Sequence, residues 1–85
     1  MPHVSSFFGI IITMYLPDHN PPHFHVKHDE YHAIIDIESG EIKGNLSRRD
    51  IQLVYEWLDL HKNELMENWT RLQEGKTILK IAPLK

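Results

Sequence analysis

The feature that most constrains this chain is an apolar rhythm in its second half. Ile51, Val54, Leu58, His61, Leu65, Trp69 and Leu72 recur at spacings of three and four residues, which places them on one stripe of an α-helix. Ser47-Arg48-Arg49-Asp50 has the form of a capping box, with Asp50 where Glu or Gln is preferred. Gly75 suits a helix C-cap. The spacing predicts one long helix over about residues 48–74 rather than two short ones, with Asn63 as its weakest point. Leu53, Trp57 and Leu60 add a second apolar side. So wide an apolar arc needs two partners: a sheet, and something else.

The sheet must come from the first half. Residues 7–15 are β-branched and aromatic, which predicts a central strand with both faces at least partly covered. Pro17, Pro21 and Pro22 forbid regular pairing over residues 16–22, because proline removes a ladder donor and fixes φ. Residues 23–28 and 31–38 read as two strands joined at Asp29-Glu30. Ser39-Gly40 marks the next turn, and residues 41–43 can add a short fourth strand. Residues 78–81 form a short apolar tail able to pack back as a strand. The expectation is an α+β domain, 1–85 as one unit, with an antiparallel three- to four-stranded meander packed against one long C-terminal helix. At 85 residues such a chain buries only roughly 60% of its unfolded surface, which makes oligomerisation a ready aid to stability.

Four of the seven histidines lie in Asp18-His19-Asn20-Pro21-Pro22-His23-Phe24-His25-Val26-Lys27-His28. A two-residue turn at Asp29-Glu30 puts Phe24, Val26, Ala33, Ile35 and Ile37 on one face, with His28 opposite Tyr31. The other face then pairs Lys27 with His32, His25 with Ile34, and His23 with Asp36. A slip of one residue scatters the set. His23, His25 and Asp36 are candidate ligands for a divalent metal such as zinc, since histidines at i and i+2 of a strand project together. The same imidazoles, with Lys27, are candidate acid, base and phosphate-binding groups, which makes His23 and His25 candidate catalytic residues. Against both stands a plain polar sheet face whose histidines hydrogen-bond the loop and one another. Asp18 and His19 either extend this site or, for Asp18, cap an Asx turn.

A net charge of −3 argues against nonspecific nucleic-acid binding through a strongly basic surface. Arg48 and Arg49 at the helix N-terminus, where the macrodipole disfavours cations, hint at a phosphate or acidic partner, although a solvated first turn explains them more simply. There is no cysteine, hence no disulfide framework and no thiolate site. The longest apolar run is far short of the about 20 residues a membrane span needs. Cytoplasm is the expected compartment and no membrane partner is expected.

Phe7-Phe8-Gly9-Ile10, Met14-Tyr15, the Asp18–His25 string, Gly40-Glu41, Glu56-Trp57, Glu64-Leu65 and Asn68-Trp69 together resemble the family catalogued as domain of unknown function 4160. These are small bacterial proteins without an established activity. The resemblance covers nearly the whole chain, and the positions it carries over are Asp18, His19, His23 and His25. It implies pairing with a second small protein (domain of unknown function 2442), in the manner of a toxin–antitoxin module. The expected function is therefore partner binding, through Leu53, Trp57 and Leu60 on the wide side of the helix, with homodimerisation through that surface as its simplest form. The alternative is a small hydrolase or ribonuclease acting on RNA at His23 and His25.

Overall fold

The computed structural model describes residues 3–15 and 20–85. Five strands, β1 (His3–Phe7), β2 (Ile10–Thr13), β3 (His23–His28), β4 (Tyr31–Asp36) and β5 (Ile42–Asn45), precede one helix, α1 (Arg48–Gln73). They form a single antiparallel sheet in the order β1-β2-β3-β4-β5. The architecture is the expected α+β meander, with five strands rather than three or four.

The extra strand arises because residues 7–15 do not run as one. The chain reverses at Phe8-Gly9, and Phe7 pairs directly with Ile10. Phe8 and Gly9 take φ of 51° and 82°, and positive φ at both central residues matches the right-handed twist of the flanking strands. Glycine adopts this without a Cβ penalty, and the turn's strain falls on Phe8. A second glycine, Gly44 in β5, is required by proximity. With φ of 120°, a Cβ there would stand 2.5 Å from the His32 carbonyl oxygen.

Val4, Phe7, Ile10, Ile12, Phe24, Val26 and Ile35 of the sheet, with Ile37 just beyond β4, pack against Val54, Trp57, Leu58, Leu65, Trp69 and Leu72 of α1. The Ser47 hydroxyl accepts from the Asp50 N–H at 3.1 Å, giving the expected N-cap. At the other end the Gly75 N–H reaches the Leu72 carbonyl and the Lys76 N–H the Arg71 carbonyl, a Schellman closure. The helix kinks at His61 (φ −125°, ψ 20°), two residues before the expected weak point at Asn63.

The second partner of the helix is the chain's own tail. Asn68 clamps Leu79 with two hydrogen bonds, donating to its carbonyl at 2.8 Å and accepting from its N–H at 2.9 Å. The Ile81 N–H donates to the Val4 carbonyl at 3.0 Å, and the Trp57 indole N–H to the Ala82 carbonyl at 2.8 Å. The tail is held at these points without forming a strand. Trp57 is consequently 0% exposed, with its ring 5.5 Å from Phe7 and 5.9 Å from Phe24. The expectation of Trp57 as a partner-facing residue is corrected on this ground: it is core. Leu53 is half-buried against the same core, while Leu60 is 68% exposed.

Candidate functional site: the open face of the sheet

The β3–β4 register agrees with the sequence-based expectation at all six pairs, from His23 opposite Asp36 to His28 opposite Tyr31. Phe24, Val26, Ala33, Ile35 and Ile37 are buried beneath the helix. The opposite face carries two cross-strand rows. One is Thr13–His25–Ile34–Lys43, with His3 beyond Thr13, and the other is Ile11–Lys27–His32–Asn45. Ile11, on this face, is 42% exposed.

On this face two imidazoles meet. Nδ1 of His25 lies 3.4 Å from Nε2 of His32, with ring centres 5.6 Å apart and 28° between the planes. The Tyr15 ring meets His25 edge-on at 4.5 Å. His23 sits at the sheet's margin, its ring 5.4 Å from His25 and 5.2 Å from Trp69 of α1. Its Nδ1 donates to the Pro21 carbonyl at 2.8 Å. A carbonyl can only accept, so Nδ1 carries the proton and the neutral ring keeps its lone pair on Nε2. The Asn20–Pro21 peptide bond is cis.

Asp36 faces the adjoining loop. Its Oδ1 accepts from the Glu38 N–H at 2.8 Å and the Ser39 N–H at 2.9 Å. The Ser39 N–H chiefly holds the carboxyl below its ordinary pKa; burial opposes it, and the Glu38 N–H, the Ser39 hydroxyl and the His23 charge lower it further. His23, Ile34, Asp36 and Lys43 are among the residues lining a shallow depression of about 180 Å³. Lys27 is exposed in the second row. Asp18 and His19 lie outside the described residues. Among the described residues no group of three His, Asp or Glu side chains is placed to hold a metal ion.

One polar pair was not foreseen. His28, on the helix side of the sheet, donates from Nδ1 to Asp50 Oδ2 at 2.7 Å. Asp50 is 2% exposed, and the His28 side chain 25%. Gly9 abuts the ring, since a Cβ there would stand 2.8 Å from Nε2. The capping box marks Asp50 as an acid in the first turn of α1, but nothing local to it points to His28 as the partner of its carboxylate.

Fold and site together define a small single-sheet α+β protein with one face sealed by its helix and tail and the other bearing histidines and lysines. The chain belongs to the family described as Domain of unknown function (DUF4160), whose model matches residues 9–70. No curated protein and no solved structure matches it. Among the described residues no helix is long and apolar enough to cross a membrane.

Proposed function

We propose that this protein is a binding module, one half of a two-protein, toxin–antitoxin-like pair, and that it docks its small protein partner on the open face of the sheet. The carrying observation is the asymmetry of the sheet. The helix side is closed by α1 and by the tail over Trp57. The other face offers Ile11, Lys27, His32, Ile34 and Lys43 in register across β2 to β5. Exposed apolar residues bordered by polar, solvent-accessible side chains follow the core-and-rim plan of a protein interface. In a chain of net charge −3, lysines on this face favour an acidic partner segment.

The test is affinity for a small protein of the family implied by the resemblance, measured for Ile11→Asp and Leu60→Asp. The sheet-face reading expects Ile11→Asp to weaken binding about tenfold or more and Leu60→Asp to leave it unchanged. The reverse pattern would return the interface to the exposed side of the helix around Leu53 and Leu60. A concentration-dependent doubling of mass that Ile11→Asp abolishes would assign the face to a second copy of the chain.

A second reading is favoured by the fixed His23 tautomer. An imidazole whose Nδ1–H is committed to a backbone carbonyl has Nε2 as its basic nitrogen, and His25 stands beside it. This suits a small hydrolase or ribonuclease acting on RNA, with or without a divalent metal such as zinc at His23, His25 and Asp36. Under it, replacing His23 and His25 by Ala abolishes RNA cleavage while the thermal transition persists. Full cleavage by the double variant removes the enzyme from this face.

A further inference from the structure

We propose that His25 and His32 form a binding site for one divalent transition-metal ion of the zinc, nickel or copper type. A tetrahedral ion with metal–nitrogen bonds of about 2.1 Å holds two ligand nitrogens about 3.4 Å apart. His25 Nδ1 and His32 Nε2 already stand at 3.4 Å. The two residues sit on adjacent strands, on the diagonal of the His25–Ile34 and Lys27–His32 pairs, so the sheet fixes their separation. Two neutral imidazoles facing edge to edge share at most one N–H···N bond, and at this length it is weak. A swing of the rings turns both lone pairs on an ion and exchanges this weak bond for two metal–nitrogen bonds. Imidazole favours zinc, copper and nickel over magnesium or calcium.

This pair differs from the ligand set His23, His25 and Asp36. Asp36 Oδ1 is engaged by two loop N–H groups, and among the described residues those three side chains are not grouped to hold an ion. His32 is exposed, which leaves room for water to complete the coordination. The inference depends on neither functional reading, since a metal on this face is compatible with a docked protein and with hydrolysis.

The experiment is calorimetric titration of zinc chloride, and separately nickel chloride, into untagged protein stripped of metal with a chelator. The variants are His25→Ala, His32→Ala, His23→Ala and Asp36→Asn. One saturable event is expected, weakened about tenfold or more in His25→Ala and His32→Ala. His23→Ala and Asp36→Asn should stay within about threefold of the parent. Amide spectra identify any variant that fails to fold, and His25→Gln then takes the place of His25→Ala. The proposal is overturned if His32→Ala binds like the parent, or if the parent binds no more tightly than the His25/His32 double variant. Loss of binding in His23→Ala and Asp36→Asn with retention in His32→Ala would move the site to the other ligand set.

Discussion

The two faces of the sheet hold histidines in opposite circumstances. On the helix side, His28 meets a buried carboxylate at 2.7 Å. On the open side, His25 meets another imidazole at 3.4 Å. The first contact joins unlike groups from the end of β3 and the first turn of α1, and it satisfies a carboxylate that would otherwise be buried without a partner. The second joins like groups on neighbouring strands at a longer distance. A contact of the first kind serves the fold. A contact of the second kind adds less to it and brings two ligand-type nitrogens together on one face. Stability and function should therefore separate by face, and each substitution below tests that separation.

The largest effect belongs to Trp57. It is fully buried among Phe7, Phe24 and His61, and its N–H fastens the tail at Ala82. Trp57→Ala should cost about 3–5 kcal/mol in urea unfolding, a large share of the stability of so small a domain. Trp57→Phe keeps most of the apolar volume but loses the bond to Ala82, so it should cost less. A cost of only a few tenths of a kcal/mol for Trp57→Ala would mean that the tail does not close over the helix.

Next comes the clip between the hairpin and the helix. Asp50→Ala removes the acceptor for His28 Nδ1 and the acidic group in the first turn of α1. The expected loss is about 1–3 kcal/mol by urea titration, reduced toward the lower end because His28 is partly solvated. Asp50→Asn retains an acceptor and should fall between parent and Ala. If His28→Ala and Asp50→Ala add fully in the double variant, the two side chains are not coupled and the comparison fails on the helix side.

How much of this was legible in the sequence follows the range of the interactions. The β3–β4 register was readable because strand side chains alternate with a period of two and a two-residue turn fixes the pairing. Both ends of α1 were readable because caps are local. The break at Phe8-Gly9 was hidden by strand-forming residues on both sides of a turn that lacks Asn or Asp. Trp57 was misplaced for a different reason. Its burial depends on residues 79–82, more than twenty positions away, and nothing in the helix pattern says that the tail returns. His28–Asp50 was hidden likewise, because it exists only once the helix approaches the hairpin. Within the open face, pairing showed that His25 and His32 share a side, but not that their nitrogens meet.

Asp36 supplies a smaller effect with a definite sign. Its folded pKa is depressed, chiefly by the Ser39 N–H, so ionised Asp36 favours the folded state. That contribution is complete above the unfolded value and is lost as pH falls through the lowered folded one. Between about pH 5 and about pH 2 the parent should lose more stability than Asp36→Asn, so that the two curves converge in acid. Parallel curves would mean that the loop contacts persist without the charge.

The smallest expected effect breaks the comparison most directly. His32→Ala and His25→Ala remove an exposed and a half-exposed ring whose mutual contact is long. Each should change the urea midpoint by no more than about 0.5 kcal/mol. His28→Ala, on the other face, should cost visibly more. If the open-face variants destabilise as strongly as His28→Ala, then the imidazoles of β3 and β4 hold the sheet together, and a ligand is no longer needed to account for them. If they leave stability untouched while removing metal or partner binding, the two faces divide the work as their geometry indicates. In that case the helix side maintains the fold and the open side carries the chemistry.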